Sequence, residues 1–546
     1  MADKLPIDQV KALKARHSQL VDARLPSEGL WTELRKYIRP EAKAFYSDDL
    51  PGQQLRNRLF DGTAAWANEQ LANAIVGLLM PKNQQWFFLT VDGVEEGRVK
   101  LDWAARDWLQ RVSDIIYSYY LRPSANAGTS GHEICMDVGG LGTGIEHQTW
   151  DEKSQGLVFR PLALADCWLD QDYLGRIDTL HRRIIWNKRQ LLQAFQEKDL
   201  PEKVQKSKKY DEPYEIVHAV FPREDRIANS LLPTQKAYAS VWFMPDVKAE
   251  EAVLKNSGFD IFPYATPRFF KRATEVYGRG PGANCLPNVR YLQSLKRVNI
   301  KGKTKLIDPA LLVPHDGILT DVIAEPSALI HYEADAFANQ TRPPITPLLT
   351  GANPNVGDVE IDREQNFILQ CFYAEWFQSE QKKERQTATE IIDNQDQRAN
   401  MMSPNLGRIE TEYLDRRIAR SYNLLKAHGK IPDAPSSLRQ AELKVRYETP
   451  ARRAQRAQQS LNDRRFVELI LPLAELEPGI MDEFDLVEFA KSTANNLSVS
   501  QNIRRKPKDI DARKQAREDQ QQQDALMQNA LPASQAIKNV AQAQNA

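Results

Sequence analysis

The apolar residues of the first 120 positions recur every three or four residues, a spacing that predicts amphipathic helices. Four helices are expected there, the second capped by Ser27 and the third by Asp61. Their apolar stripes are Val10, Leu13, Leu20; Leu30, Trp31, Leu34; Ala67, Leu71, Ala74, Ile75, Leu78; and Ala104, Trp108, Val112, Ile115, Tyr119. The pattern therefore predicts a helical N-terminal region.

From about residue 144 to residue 270 the chain changes to short runs of β-branched and aromatic residues, separated by Gly, Asp and Pro. Such runs predict strands that are joined by turns. The predicted strands cover 156–160, 177–185, 214–221 and 237–243, with one short helix at 188–195. A strand-containing insertion therefore follows the first helices.

Beyond Gly278 the chain alternates between helical patterns and segments rich in Gly and Pro. A helix is predicted from Pro287 to Arg297, followed by a basic segment and then by proline-rich extended chain. Another helix is predicted over 362–377, where apolar residues occupy more than one face. A helix of that kind needs packing partners on several sides, which neighbouring subunits could supply.

A long helix in two pieces is predicted after residue 387. Thr387-Ala-Thr-Glu390 has the form of a capping box, and Ser403-Pro404 has that of a second helix start. Gly429 is well placed to end the helix, whose roughly 40 residues would span ~60 Å. From Ile503 the sequence becomes a polar, low-complexity tail that permits a helix.

The length of 546 residues suggests about three or four domain-sized units, and the mixture of patterns predicts an α+β fold that is predominantly helical. The 73 basic and 73 acidic residues give a formal net charge of zero. A protein that grips nucleic acid tightly needs a basic excess to neutralise phosphates. The balance therefore argues against a transcription factor or a DNA packager, but not against a surface that DNA slides past.

The cysteines are widely spaced and form no C-x-x-C pair, so the sequence predicts neither a disulfide framework nor a zinc site, and a reducing cytosol is the expected folding compartment. They are Cys135, Cys167, Cys285 and Cys371. The N-terminus lacks a signal-peptide pattern. The longest apolar run, residues 71–80, is too short to span a bilayer.

Three patterns invite an enzymatic interpretation. Gly139-Gly140-Leu-Gly142-Thr-Gly144 is similar to a phosphate-binding loop, but a predicted strand follows it and no Gly-Lys-Ser/Thr is present. His132-Glu133 lacks the second histidine that a zinc protease needs. The acid pairs Asp170/Asp172 and Asp308/Asp316 are more typical of turns than of two-metal sites. We therefore predict no catalytic residue, no metal and no cofactor.

Two basic clusters could contact DNA phosphates. One comprises Arg290, Lys296, Arg297, Lys301, Lys303 and Lys305, and the other comprises Lys382, Lys383 and Arg385. The alternative is a solvated helix end and loop for the first cluster, and a plain surface loop for the second. Local sequence does not separate these possibilities for the first cluster, and for the second it favours the plain surface loop.

Several short motifs, taken in order, resemble those of the head-to-tail connector (portal) family of short-tailed bacteriophages. The N-terminal set is Leu59-Phe60-Asp61-Gly62-Thr63, Leu71-Ala72, Pro81 and Trp86-Phe87. The central set is Tyr277-Gly-Arg-Gly-Pro281, Leu286-Pro287 and Leu292. The C-terminal set is Thr387-Ala-Thr-Glu390, Glu410, Leu414, Arg417, Ile431-Pro432, Pro435 and Thr449-Pro-Ala-Arg452. The matches run from about Trp31 to Gln458, with Gln386 in place of the methionine that the family pattern predicts.

The resemblance implies a portal fold that assembles as a ring, typically of twelve subunits. The implied regions are a wing at 1–280 and 388–480, stem helices at 281–300 and 362–378, a clip at 301–361, a channel loop at 379–387 and a crown with tail at 481–546. In this scheme the DNA-channel candidates are Lys382, Lys383, Arg385, Arg290, Lys296 and Arg297. The clip candidates are Lys301, Lys303 and Lys305, and the candidates for stem packing between subunits are Phe367, Phe372, Tyr373 and Trp376.

The implied function is non-enzymatic: the ring lies at one capsid vertex, and double-stranded DNA is packaged and ejected through it without sequence-specific contacts. The implied partners are further copies of the chain, the terminase large subunit, the major capsid protein, scaffolding protein, tail adaptor proteins and internal core or ejection proteins, with no membrane. The implied location is the virion, after assembly in the host cytoplasm. The alternatives are another virion structural or adaptor protein, which would not form a wide ring, and a DNA-processing enzyme, which would need clustered metal ligands.

Overall fold

The computed structural model describes residues 5–46, 59–92, 101–227, 232–307, 354–374, 404–438, 443–448, 465–470 and 509–523, with a few isolated positions between them. The chain divides into two compact units. The larger comprises residues 1–80, 123–387 and 400–420, and the smaller comprises 81–122, 388–399 and 421–546. Within the described ranges, each helix is too short or too polar to cross a lipid bilayer.

The described elements confirm an α+β fold that is rich in helices, and they are numbered here in chain order. The helices are α1 (Ile7–Tyr37), α2 (Thr63–Leu79), α3 (Trp103–Tyr120), α4 (Ala127–Gly140), α5 (Lys188–Ala194), α6 (Glu202–Lys206), α7 (Pro281–Ile307), α8 (Pro354–Cys371) and α9 (Asp415–Ala427). The strands are β1 (Phe87–Val91), β2 (Glu146–Asp151), β3 (Gly156–Pro161), β4 (Cys167–Gln171), β5 (Ile177–Asn187), β6 (Pro213–Pro222), β7 (Tyr238–Phe243), β8 (Val253–Phe259), β9 (Tyr264–Ala265), β10 (Leu311–Leu312), β11 (Thr346–Pro347) and β12 (Leu443–Tyr447).

The centre of the larger unit is an antiparallel sheet of five strands in the order β4-β5-β6-β7-β8. The middle strand β6 is buried almost continuously, because both faces of the sheet are covered. On one face Leu13 of α1 packs with Val217, Val241 and Phe243. The other face carries a separate apolar cluster, made of Leu191, Leu200, Val204, Tyr214, Ile216, Met244 and Leu254. The predicted strand-containing insertion is therefore confirmed.

Histidines are buried at the centre of this sheet and beneath α1. The Nδ1 atoms of His17 and His181 lie 3.3 Å apart, and His218 is bonded through one ring nitrogen to Ser240 (2.9 Å) and through the other to Tyr264 (3.0 Å). Burial lowers the pKa of His17 to about 4, with a further contribution from the Arg24 cation. Burial also lowers the pKa of His181 and of His218 to about 3. These three imidazoles are therefore uncharged at neutral pH.

The first helix is longer than the sequence pattern predicted, since α1 continues through Pro26 and no second helix begins at Ser27. Arg24 and Glu28 form a buried ion pair that bridges the proline, with Nη2 and Oε1 2.7 Å apart. The Arg24 guanidinium also donates to three carbonyl oxygens of the chain before β4, those of Leu164, Ala165 and Cys167. Tertiary contacts on both sides thus hold the helix through a residue that local preference would use as a break.

The bounds of α7 and α8 also differ from the predicted ones. In the structure each of these helices begins earlier, at a proline. Pro281 and Pro354 occupy first-turn positions, where the missing N–H has no intrahelical acceptor to lose. Helix α7 then continues through the basic segment to Ile307, so the lysines predicted to lie in a loop are helical. Both predictions placed a helix in the right region and misplaced its ends.

The smaller unit contains α3, whose start is capped by Asp102 accepting a hydrogen bond from Ala105 N at 2.9 Å. Strand β1 pairs with β12 in a two-stranded antiparallel sheet. Trp108 of α3 donates from Nε1 to the carbonyl oxygen of Pro432 at 2.9 Å. The helix was predicted, whereas β1 and β12 were not.

The predicted long helix is described from residue 404 onward, and its proposed start at Ala388 lies outside the described residues. Residues 404–409 are α-helical, Glu410–Leu414 form a π-helical turn, and α9 follows. Gly429 has a φ of +65°, and the next N–H, that of Lys430, bonds to Leu425 O at 2.9 Å. This is a glycine C-terminal cap, as predicted, while the π turn was not foreseen.

Candidate functional site: the helix pair α7 and α8

Helices α7 and α8 form an antiparallel pair in the larger unit. Polar contacts join them along their length: Asn288 Nδ2 donates to Glu364 Oε2 at 3.1 Å, and Asn299 Nδ2 donates to Asp358 Oδ1 at 2.8 Å. Lys303 Nζ lies 2.7 Å from the same Asp358 oxygen. The buried apolar residues of the pair are Cys285, Leu286, Val289, Leu292, Ile361, Ile368 and Phe372.

Asp61 fastens this pair to the start of α2. Its carboxylate accepts hydrogen bonds from Thr63 N at 2.8 Å, Lys296 Nζ at 2.9 Å and Gln365 Nε2 at 2.7 Å. Burial of Asp61 opposes ionisation, but these donors outweigh it and leave the pKa of the carboxyl below its ordinary value. Gln293 of α7 completes the contact, since its amide donates to Asp61 O and accepts from Asp61 N. One aspartate thus holds both helices.

The start of α7 packs on the end of α4, backbone against backbone. Gly278 N donates to Thr143 Oγ1 at 2.8 Å. A side chain on Gly278 would clash with the carbonyl oxygen of Gly142, and one on Gly280 would clash with that of Gly139. Glycine is therefore required at both positions by close approach. The glycine-rich segment that is similar to a phosphate-binding loop is filled here by the chain's own backbone.

Arg268 connects the segment before α7 to the π turn. Its side chain is 1% exposed, and it donates from Nε to Glu412 Oε2 at 3.0 Å and from Nη2 to Glu412 Oε1 at 2.6 Å. The same guanidinium donates to the carbonyl oxygens of Val276 at 3.0 Å and Gly175 at 2.9 Å. These acceptors replace the water molecules that the guanidinium loses on burial, and so they stabilise the buried cation.

A second buried ion pair lies at the other end of the π turn. Arg417 Nε is 3.1 Å from Glu146 Oε2, and both side chains are buried. Glu146 also accepts from Ser130 Oγ at 2.6 Å and from the Tyr413 hydroxyl at 3.0 Å. The arginine lies over the ring of Phe159, with 4.2 Å to the ring centroid. Arg417, which belongs to the C-terminal set of sequence motifs, therefore stabilises the packing next to the π turn.

The basic residues of α7 fall into two groups. The helix has six of them and no acidic residue. Half are ion-paired inside the chain: Arg290 with Glu33, Lys296 with Asp61, and Lys303 with Asp358. Their charge is thus compensated. The other three basic residues therefore determine the charge of the exposed surface of α7.

Arg297, Lys301 and Lys305 form the second group, here called the cationic stripe. They follow one another at four-residue intervals, so they share one face of α7 over a length of ~12 Å. All three are exposed, and none forms an ion pair within the part of the chain that the structure describes. The stripe is a continuous positive surface on a helix whose other cations are neutralised.

The four aromatic candidates for packing between subunits lie in different environments. Phe367 is 45% exposed, whereas Phe372 is buried inside the chain and Tyr373 is intermediate. Trp376 lies outside the described residues, as do the channel-loop candidates Lys382, Lys383 and Arg385 and the acids Asp308 and Asp316. Apolar exposure on the helix pair is wider than predicted and includes Tyr291, Val298, Ile300, Ile307 and Val359. The roles of these candidates in assembly and DNA passage stay predictions.

Within the described ranges no group of three or more His, Cys, Asp or Glu side chains converges as a metal-binding set. Gln293 and Gln365 help to hold the helix pair and Arg268 anchors the segment before it, and the sequence analysis did not single them out. Their roles come from partners that are distant in sequence, and no local pattern marks them. Asp61 was predicted to cap α2, but the N-cap position is Gly62. The Asp61 carboxylate, one residue earlier, accepts from Thr63 N as one of its three side-chain contacts.

A family model described as bacteriophage head to tail connecting protein matches residues 10–504 of the chain. A protein named probable portal protein from Bordetella phage BPP-1 is 25% identical over 527 residues, which cover 95% of this chain and 93% of that protein. The portal protein of Salmonella phage epsilon15 is 23% identical over 545 residues, which cover 96% of this chain and 94% of that protein.

Two of the solved structures that match the chain come from gene transfer agent particles. The neck of a native particle, computed with C12 symmetry, gives a TM-score of 0.35 at 10% identity and covers 75% of this chain and 88% of that chain. The virion of a native particle gives a TM-score of 0.36 at 10% identity, with 76% and 90% covered.

Proposed function

The chain belongs to the bacteriophage head to tail connecting protein family, and we propose that it is the portal subunit of a short-tailed phage. The proposal is that copies of the chain close into a ring, typically of twelve, at one capsid vertex. Double-stranded DNA enters and leaves the capsid through the central hole. The subunit itself performs no chemistry in this proposal. The supporting observation is the match to portal proteins over nearly the whole chain, together with the exposed apolar and basic residues of α7 and α8.

Apolar residues on the outside of the helix pair support assembly into a ring. Tyr291, Val298 and Ile300 of α7 and Phe367 of α8 are substantially exposed in the single chain. Large apolar residues grouped on a helix surface favour a protein partner. A ring of identical subunits offers each copy two neighbours through a head-to-tail interface. We therefore assign α7 and α8 to the stem, where neighbouring copies cover these residues.

The cationic stripe supports the passage of DNA. Each phosphate that a cation neutralises releases counterions and adds affinity, so a strongly basic channel would hold the duplex in place. The chain has zero net charge, and among the described residues only half of the six cations of α7 are ion-paired. A stripe of this size, repeated around the ring, steers the duplex without stopping its motion. Contacts to phosphates carry no sequence information, so any sequence passes.

In this proposal the other regions keep the bounds that the family resemblance implies. The wing comprises residues 1–280 and 388–480, the clip lies between α7 and α8, the channel loop covers 379–387, and the crown with its tail covers 481–546. Because α7 extends to Ile307, Lys301, Lys303 and Lys305 belong in this proposal to the end of the stem that adjoins the clip. The channel-loop cations are Lys382, Lys383 and Arg385.

The partners in this proposal are those of a capsid vertex. The clip receives a separate packaging ATPase, the terminase large subunit, and later the tail adaptor proteins. The wing and crown contact the major capsid protein, the scaffolding protein and the internal core or ejection proteins. The subunit assembles in the host cytoplasm and remains in the virion.

Negative-stain microscopy of the purified full-length chain tests the proposal. We expect closed rings with a central hole wide enough for a duplex, and native mass spectrometry should give one subunit number. Monomers that stay monodisperse at high concentration would contradict the proposal and favour an adaptor component of the virion. Metal-dependent DNA cleavage that is abolished by one substitution in the chain would also contradict the proposal and would favour a DNA-processing enzyme.

A further inference from the structure

Two of the four cysteines lie at the same end of the helix pair. Cys285 belongs to the first turns of α7, and Cys371 is the last residue of α8. Because the two helices run antiparallel, the start of one lies beside the end of the other. Both cysteines are free thiols in the structure.

The packing register of the two helices brings these cysteines into one layer. A Cβ atom on Gly357 would lie 3.2 Å from Cγ of Asn299, so these two positions face each other. Cys285 comes 14 residues before Asn299 in α7, and Cys371 comes 14 residues after Gly357 in α8. Fourteen residues are two seven-residue repeats, which bring a helix back to within ~40° of the same side. The register therefore sets Cys285 opposite Cys371.

The residues between the two layers keep the helices together. Leu292 lies seven residues from Cys285 on the same side of α7 and is 1% exposed. Glu364, seven residues before Cys371 in α8, accepts the hydrogen bond from Asn288. Ile368 of the next turn is fully buried. The packing therefore continues from the Gly357 layer to the cysteine layer.

The two sulfur atoms are close enough for the charge of one to act on the other. Burial raises the pKa of the Cys285 thiol to about 12, and the charge of Cys371 contributes to this rise. Burial also raises the pKa of Cys135 and of Cys167, but there the next largest influence is an arginine. Cys285 and Cys371 therefore differ from the other two cysteines in having each other as neighbours.

The two thiols differ in their access to solvent. Cys285 is fully buried, whereas Cys371 is half-buried. Helix α8 ends at Cys371, and Tyr373 beyond it has a φ of +59°, in the left-handed region. The last residue of a helix adjusts its backbone more readily than a residue inside it, which helps two cysteines to reach disulfide geometry. A small oxidant therefore reaches Cys371 first, and Cys285 lies behind it as the second thiol.

We propose that Cys285 and Cys371 form a reversible disulfide bond within one chain when the chain meets a peroxide, and that this bond locks α7 to α8. The Cys371 sulfur attacks one oxygen of hydrogen peroxide, the O–O bond breaks, and the departing hydroxide takes the thiol proton and becomes water. The product at Cys371 is a sulfenic acid. The Cys285 sulfur attacks this sulfenic sulfur, so that the S–S bond forms, the S–O bond breaks, and a second water leaves with the Cys285 proton. Two thiols thus lose two electrons, and one peroxide is reduced to two waters.

The compartment decides which form is present. Glutathione and thioredoxin keep thiols reduced in a cytosol, and a high thiol pKa slows exchange further. Outside a cell the disulfide is the stable form. In the proposed portal, the bond would join the stem helices in released particles but not during assembly. This consequence rests on the proposed function, whereas the bond itself concerns a single chain.

Mass spectrometry of the full-length chain tests the inference. The chain is purified with a reductant, freed of it, exposed to hydrogen peroxide, alkylated, and digested without reduction. We expect one linked peptide pair that contains Cys285 and Cys371. Free thiols in the denatured chain should fall from four to two, because one bond consumes two of them. The thermal midpoint should rise by about 5 °C, since the bond closes a long loop, and dithiothreitol should reverse the rise.

Substitutions at single cysteines provide the controls. Cys371→Ser should keep its three remaining thiols and show no rise in the thermal midpoint. Cys167→Ala is the matched control, because Cys167 is as deeply buried as Cys285, and this variant should still lose two of its three thiols. Cys285→Ala leaves the sulfenic acid without its resolving thiol. Dimedone, which traps sulfenic acids, should therefore label Cys371 in this variant about tenfold more than in the unmodified chain.

The possible outcomes separate this inference from the proposed function. A linked peptide found only in covalent dimers on a non-reducing gel overturns the inference, because the bond would then join two copies. Four remaining thiols, or sulfinic acid at Cys371 beside a free Cys285, also overturn it, because the two sulfurs then do not meet. In each of these cases rings of the reduced chain would leave the portal proposal standing. A chain that forms the bond but no ring contradicts the proposed function alone.

Discussion

Arg268 and Glu412 are 144 positions apart in the chain, yet they form a two-point ion pair. This pair joins the segment before α7 to the π turn of the long helix. Because the same guanidinium supports the base of the turn that carries Tyr173, one buried arginine positions three parts of the larger unit.

Removing this arginine should destabilise the larger unit. Arg268→Ala leaves the Glu412 carboxylate without its partner and frees two backbone carbonyls, so we expect a loss of about 3–5 kcal/mol in the free energy of unfolding. Urea denaturation of the full-length chain measures it. Arg272→Ala is the control, since the Arg272 side chain is 68% exposed, and it should lie within about 0.5 kcal/mol of the unmodified chain. Equal effects of the two substitutions would contradict the structural role of Arg268.

The close approach at the start of α7 gives a second prediction. Gly278→Ala forces a methyl group against the carbonyl oxygen of Gly142, so we expect little folded protein in the soluble fraction. Gly302→Ala, inside α7, is the control, because nothing lies within 4 Å of its new methyl group. That control should stabilise the chain by about 0.5–1 kcal/mol through helix propensity. A Gly278→Ala variant with an unchanged thermal midpoint would refute the packing described here.

Asp61 provides a third prediction. Asp61→Ala removes the acceptor that Thr63, Lys296 and Gln365 share, and we expect a loss of about 3 kcal/mol at neutral pH. Because the pKa of this carboxyl is lowered in the folded chain, its contribution is present above the ordinary carboxyl pKa and disappears as pH falls through the folded value. Hydrogen exchange should show faster exchange in α7 and α8 and little change in the five-stranded sheet. If hydrogen exchange became faster to the same extent in the helix pair and in the sheet, Asp61 would not stabilise the helix pair specifically.

The buried histidines predict a loss of stability in mild acid. The folded pKa values are about 4 for His17 and about 3 for His181 and His218, against 6.5 for an ordinary imidazole. The unfolded chain therefore binds these protons first, so stability falls as pH decreases from 6.5 toward 4. Three such groups contribute up to about 4 kcal/mol per pH unit.

Thermal midpoints measured between pH 7.5 and pH 4.5 test the acid prediction. His181→Asn should reduce the slope by about one quarter, because burial also lowers the pKa of His147 and one of four such groups is removed. A slope that is unchanged in this variant would show that His181 does not take part in the transition.

The cationic stripe provides the fifth prediction. The triple alanine variant at Arg297, Lys301 and Lys305 should form normal rings and should weaken the salt dependence of DNA binding by the ring, because fewer counterions are released. Replacing Lys203, Lys208 and Lys209, which are exposed in the strand-containing insertion, removes the same charge and should leave the dependence unchanged. Equal behaviour of the two variants would show that the stripe does not face DNA.

Sequence patterns predicted the elements that are determined by residues close together in the chain. The strands from 156 to 243, helix α3 and the end of the long helix at Gly429 follow from alternation, helical spacing and a glycine cap. The N-terminal helix was divided wrongly at Ser27, because the contacts of Arg24 and Glu28 outweigh the local tendency of Pro26.

The candidate site was predicted less completely, because its geometry depends on distant partners. The basic residues of α7 were identified, but only their ion pairs separate the three compensated cations from the three of the stripe. The glycine-rich segment was expected not to bind phosphate, and its first two glycines, Gly139 and Gly140, end α4. Its reason for being glycine-rich lies in Gly278 and Gly280, which follow more than a hundred residues later.

The contact between Thr143 and Gly278, 135 positions apart, also constrains how the chain is made. At ~5–20 residues per second, a ribosome needs roughly 7–27 seconds to advance from one of these residues to the other. During that interval the carboxyl end of α4 is exposed without its native cover. Because α7 begins at Pro281, the segment that covers this end of α4 is synthesised before the exposed apolar residues of α7.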